Sequence, residues 1–120
     1  MRELKFRQWT TRWVSGNSYM VYLGDLNGGF ALPLDAGKIM QYTGLKDKNG
    51  TEIYEGDIVQ NLNKRINKIE WSNEELAWVA KGRYVNGKDY NLLLMDLDAV
   101  ATIEVIGNIY ENAELLEVSK

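Results

Sequence analysis

Asp96-Leu97-Asp98 places two carboxylates at the spacing best suited to sharing a hard cation. Residues two apart on a strand project from the same face, and oxygen ligands of this kind suit Mg²⁺. Mg²⁺ also keeps several waters and engages substrate phosphates, so Glu104 or Glu70 would have to converge on the pair. A solvated strand end accounts for the same residues, because Asp is mostly exposed. A second constellation lies at the N-terminus, where Arg2, Lys5, Arg7 and Arg12 interleave with Phe6, Trp9 and Trp13. Stacking bases on Trp while Lys and Arg meet phosphates is how single strands are gripped without sequence readout. Lys5, Arg7, Trp9, Arg12 and Trp13 are therefore the candidate partner or nucleic-acid surface. Residues 96–120 carry six acids against Lys120, so charge pairing within the chain or between subunits explains the basic segment equally well. A third stretch, Glu55-Gly56-Asp57, is an acidic turn that could hold a base. No acid–base pair is expected beside it, and Gly56 has a simpler role as a positive-φ or close-packing position entering the strand Ile58-Val59.

Two missing residue types narrow the chemistry further. The 120 residues contain no His and no Cys. That excludes a Ser-His-Asp triad, a thiol nucleophile, a thiolate or imidazole zinc site and any disulfide. No catalytic residue, metal or cofactor is assigned, and the protein is read as not an enzyme. The net charge of −3 and pI near 5.0 supply no overall field toward a polyanion. A protein partner, including self-association as a homo-oligomer, is thus expected ahead of nucleic acid. No apolar run approaches the ~20 residues of a membrane helix, and the charged opening Met1-Arg2-Glu3-Leu4-Lys5-Phe6-Arg7 lacks a signal-peptide core. The expectation is a cytoplasmic protein with no membrane partner.

These residues must be positioned by short strands. Residues 3–9 alternate, with Leu4, Phe6 and Gln8 on one face and Glu3, Lys5, Arg7 and Trp9 on the other. Leu4 and Phe6 are expected inside, Lys5 and Arg7 outside. Ser15-Gly16-Asn17-Ser18 reads as a turn into a second strand, Tyr19–Leu23. Residues 24–37 hold four glycines and Pro33, the sole proline, and are the candidate mobile loop or hinge. Further strands are expected over 39–45, 56–61, 66–71, 76–83, 90–95 and 103–109, with Ile58, Val59, Ile103, Val105 and Ile109 buried. Asn49-Gly50 predicts a hairpin with positive φ at both residues, and Asn86-Gly87 a second. Trp71 and Trp78 flank a turn-like stretch and could pair across it. Asn112 predicts an N-cap, with Glu114 in the first turn and Leu115-Leu116 anchoring a short C-terminal helix. The regular spacing of short strands argues for a small barrel or sandwich. The length fits one domain over 1–120, divisible into parts 1–37 and 38–120.

Three ordered stretches resemble the YopX family of phage and prophage proteins: Met1 to Trp9, Tyr42 to Val59, and Glu104 to Leu116. Gly44, Asn49, Gly50, Gly56, Gly107 and Asn112 are the structural-motif positions within the second and third. The resemblance implies an α+β, mostly β domain. Its N-terminal α+β or β-hairpin part would pack on a C-terminal SH3-like small barrel, in a protein of a bacterial host cell. It implies no established activity. Ala113 stands where the family pattern more usually carries proline, and residues 10–38 follow no family pattern.

Overall fold

A computed structural model describes residues 4–11, 16–25, 39–84, 86–94 and 100–118. These residues form a mostly β fold closed by a short C-terminal helix, as the sequence led us to expect. The strands are β1 (Lys5–Thr11), β2 (Ser18–Asp25), β3 (Ile39–Lys46), β4 (Glu52–Tyr54), β5 (Asp57–Gln60), β6 (Ile66–Ser72), β7 (Ala77–Arg83), β8 (Asp89–Leu93) and β9 (Glu104–Asn108), followed by α1 (Glu114–Val118). They make a four-stranded sheet in the order β2-β1-β3-β4 and a five-stranded sheet in the order β8-β7-β6-β5-β9. All pairings are antiparallel.

The chain crosses from the first sheet to the second at Glu55-Gly56, between β4 and β5. Gly56 has φ +86°, and its backbone is tied on both sides: its N–H donates to Ile69 O at 2.9 Å and its carbonyl accepts from Ile109 N at 2.9 Å. An added Cβ would sit 3.0 Å from Met40 Sδ. A side chain here would meet both a disfavoured φ and a crowded site.

Three hairpin tips share one design. In Asp47–Thr51, Asn61–Arg65 and Tyr84–Lys88, the fourth residue donates to the first carbonyl and the first N–H donates to the fifth carbonyl. The fourth residue is left-handed each time: Gly50 at φ +84°, Lys64 at +64° and Gly87 at +87°. At Asp47–Thr51 this is a type I turn closed by a bulge rather than the two-residue turn expected from Asn49-Gly50. The difference has a local cause. Asp47 Oδ1 accepts from Asn49 N at 2.8 Å and Thr51 N at 2.9 Å, which holds Asn49 in the right-handed region and leaves only Gly50 with positive φ. Asn61 Oδ1 does the same for Asn63 N and Arg65 N.

The core lies between the sheets. Ile53 of β4, Val59, Ile69, Trp78 and Ala80 of β5 to β7, together with Leu94, Val100 and Ile103, are buried in one cluster, with Leu45, Leu92 and Val105 packed against it. Ile58, Val59 and Ile103 are fully buried as expected, whereas Phe6, Val105 and Ile109 are half-buried and Leu4 is exposed. β1 does not keep the simple inside–outside alternation: Arg7 and Gln8 are consecutive and both buried. Arg7 is covered because its side chain reaches Asp57 and the Tyr54 ring where the two sheets meet. Within the range expected as a hinge, Gly24 and Asp25 end β2, and 26–37 lie outside the described residues.

Candidate functional site

A dense polar cluster sits where β1 crosses the junction of the two sheets. Arg7, expected to face outward, is 3% exposed, and its Nη2 lies 2.7 Å from Asp57 Oδ1, whose side chain is 2% exposed. Arg7 Nη2 also donates to Glu55 O at 3.2 Å, and its guanidinium lies 4.8 Å from the Tyr54 ring centroid. Asp57 Oδ2 accepts the Tyr54 N–H at 2.8 Å. Arg7 Nε is buried with no hydrogen-bond partner among the described residues. Burial pushes the Asp57 carboxyl above the usual carboxylate range, and the Arg7 cation and the Tyr54 N–H pull it part of the way back.

Around this pair stands an aromatic shell. Tyr54 contacts Tyr42 at 5.4 Å and Tyr22 at 5.5 Å between ring centroids. Lys5 Nζ donates to Glu52 Oε2 at 2.7 Å and lies 5.4 Å from the Tyr42 ring. The Tyr54 hydroxyl donates to Glu52 Oε1 at 3.4 Å. Burial, then the Glu52 charge, push the Tyr54 phenol up to about 12. The arrangement can hold charge and bind the two sheets together. It is poorly placed to turn over a substrate, because both Asp57 oxygens and Arg7 Nη2 are committed to each other and to backbone groups away from solvent.

The sequence-derived surface is thus divided by the fold. Lys5 and Arg7 are paired, and their partners are Glu52 and Asp57 of the central segment rather than the acidic C-terminal segment. Trp9 is half-buried and stacks on Tyr110 at 5.6 Å with an 11° interplanar angle. Arg12, Trp13, Asp96 and Asp98 lie outside the described residues. What lies beside Glu55-Gly56-Asp57 is Arg7, a permanent cation that β1 delivers to Asp57 across the sheet junction. Among the described residues no group of three His, Cys, Asp or Glu side chains could hold a metal ion. Nor, among them, is any helix long and apolar enough to cross a membrane.

Gly44 has φ +88° and open space where a Cβ would stand. Gly107 of β9 meets Asn112 of the following turn, and a Cβ on Gly107 would strike the Asn112 side chain. Asn112 does not cap forward as expected. Its Oδ1 turns back to accept Asn108 N at 3.2 Å, while the buried Asn108 Oδ1 accepts Tyr110 N and Glu111 N at 3.0 Å each. Helix α1 begins two residues later, at Glu114. Trp71 and Trp78 do form a cross-strand pair, edge to face at 5.4 Å.

Sequence reasoning missed Asp57, Tyr54 and Asp47 as organising residues. Asp47 is buried, and besides its own turn it accepts Val105 N at 2.8 Å, fastening the β3–β4 hairpin to β9. A lone Asp two residues before Asn-Gly was the available signal.

The molecule is thus a small antiparallel β protein whose sheets are joined by an internal ion pair and side-chain caps. Residues 5–117 match the YopX family, described as YopX protein, and the chain belongs to that family. A search of curated proteins returns no match. Among solved structures the chain is similar to the crystal structure of protein EF1440 from Enterococcus faecalis. The two are 23% identical with a TM-score of 0.50 over 97% of this chain and 99% of that one. That likeness concerns the fold.

Proposed function

We propose that this protein is a non-enzymatic interaction module that works by protein contact. The observation that carries the reading is a division of labour among side chains. The charged groups with strong environments, Arg7 and Asp57, face inward and are consumed in holding the sheets together. The large apolar and aromatic groups Tyr22, Leu62, Trp71, Leu76 and Tyr84 are instead exposed. Aromatic side chains on a surface are the commonest anchors of protein interfaces. The resemblance to phage and prophage proteins supports a setting in the cytoplasm of a bacterial host cell, with residues 38–120 as the SH3-like part.

Affinity capture from such cells tests this, comparing the wild-type chain with Trp71→Ala and Tyr22→Ala. A partner retained by the wild type and lost from one variant is expected. Capture that neither substitution changes, or capture of nucleic acid in place of protein, overturns the reading. The alternative, a nucleic-acid accessory using the N-terminal strand, loses support because Lys5 and Arg7 are committed to Glu52 and Asp57. A carboxylate-dependent metal enzyme resting on Asp96 and Asp98 gains nothing from the described residues.

A further inference from the structure

The two ends of strand β6 carry exposed apolar side chains with charges of opposite sign. At its start, the tips 61–65 and 84–88 come together: the Arg65 guanidinium lies 6.0 Å from the Tyr84 ring centroid. Leu62 is 70% exposed there and Tyr84 49%. Lys64, Arg65 and Lys88 have no carboxylate partner among the described residues, so this end is positive. At the other end, seven residues and about 20 Å away, the β6–β7 turn exposes Trp71, Leu76, Glu74 and Glu75. Trp71 is held by a bond from its Nε1 to Asn73 Oδ1 at 3.0 Å.

Leu76 is the residue hardest to explain from the folded chain alone. It is 75% exposed and has φ +52°, a conformation that disfavours any side chain with a Cβ. Glycine would relieve the backbone and asparagine would suit both the backbone and the solvent. A leucine held in that conformation and turned to solvent gives the fold nothing, and local strain of this kind collects at functional positions.

We infer that these two ends are the halves of one head-to-tail contact, in which the Trp71–Leu76 end of one copy docks on the Leu62–Tyr84 end of the next. This rests on the protein-contact reading above and names its partner as a second copy of this chain. Charge decides the geometry. A two-fold contact centred on either end would set Glu74 and Glu75 against themselves, or Lys64 and Arg65 against themselves, and like charges face to face oppose association. Joining unlike ends brings opposite charges together around an apolar centre. In an end-on contact each end of the molecule meets a different neighbour, so the contact is heterologous and produces a ring or an open chain.

Sedimentation velocity on the full chain and on two charge-reversed variants tests the inference. Glu74→Lys with Glu75→Lys makes both ends basic, and Lys64→Glu with Arg65→Glu makes both acidic. The expected result is that the wild type associates, less so as salt shortens electrostatic reach from about 10 Å at 0.1 M to about 3 Å at 1 M. Each variant alone is monomeric, and an equimolar mixture associates again. All four positions are exposed, and matching thermal melts would confirm that folding is intact. Leu76→Gly should raise the melting temperature while reducing association, a split that a purely structural leucine would not produce. A wild type that stays monomeric at every concentration and salt overturns the inference, as does a mixture that fails to associate. If the monomer still captures a protein through Trp71, the interaction-module reading survives alone. Binding of a single-stranded oligothymidine at the basic end, lost in Lys64→Glu with Arg65→Glu, overturns both.

Discussion

Arg7 and Asp57 meet at 2.7 Å across the junction of two sheets, each almost fully removed from water. Arg7 belongs to β1 of the first sheet and Asp57 opens β5 of the second. The pair therefore fixes how the N-terminal strand sits on the crossing at Gly56. Buried ion pairs often contribute little net stability, since desolvating two charges offsets their attraction, yet removing one partner strands the other.

Asp57→Asn and Arg7→Met should each lower stability by about 3–5 kcal/mol, because each leaves one member unpaired inside. The double variant should lose less than the sum. Asparagine keeps an acceptor for the Tyr54 N–H, and methionine fills the space along β1 without a charge. Urea denaturation of the four proteins checks this, and strict additivity would show that the two groups do not act as a pair.

Tyr54 makes stability fall in alkali. Its phenol is held up to about 12, against 10.0 for the ordinary group, first by burial and then by Glu52. A raised acid favours the folded state while it is protonated. The contribution is whole below pH 10 and disappears as pH rises from 10 to about 12. Melting temperature measured across that window should drop more in the wild type than in Tyr54→Phe. Equal slopes would place the titration elsewhere.

The three matching hairpin tips differ at their left-handed position, where Gly50 and Gly87 are glycine and Lys64 is not. Lys64→Gly should stabilise by roughly 0.5–1 kcal/mol, the left-handed penalty of ~1–2 kcal/mol less the greater freedom of glycine in the unfolded chain. Gly50→Ala should cost about 1 kcal/mol by the same reasoning. Opposite signs from the two substitutions, read from denaturation midpoints, are the expected result.

Much of this was legible in the chain because strands and turns are written locally. Apolar runs ending in Asn-Gly located the β3–β4 and β7–β8 tips, and the spacing of Trp71 and Trp78 located a cross-strand pair. The inward turn of Arg7 was not legible. Its alternation with Leu4 and Phe6 marked it as exposed, and only the meeting of the two sheets brings Asp57 and the Tyr54 ring over it. The Asp57 partnership depends on where two sheets meet, which no local pattern encodes. For Asn112 the signal was real but its direction was misread. An Asn just before a helix looks like a forward cap, whereas here Gly107 leaves room for it to fold back onto Asn108.

Asn67, Gly82 and Tyr90 form a row across β6, β7 and β8, and Tyr90 crosses Gly82 so that its hydroxyl donates to Asn67 Oδ1 at 2.8 Å. A Cβ on Gly82 would collide with the Asn67 carbonyl oxygen and with the Tyr90 phenol. Glycine is therefore required by what lies over it rather than by its own φ, and an aromatic ring covering a strand glycine restores the packing the glycine lacks. Asn67 is fully buried, and its Nδ2 has no partner among the described residues, so its Oδ1 bond to Tyr90 matters all the more. Gly82→Ala should cost about 1–3 kcal/mol through overpacking. Tyr90→Phe, which keeps the ring over Gly82 but strands the Asn67 oxygen, should also cost about 1–3 kcal/mol. In the combined variant the Cβ has already displaced the ring from Asn67, so losing the hydroxyl should add little. Guanidinium denaturation of the three variants would read these values. A Gly82→Ala protein as stable as the wild type would mean that β8 pairs with β7 in a different register.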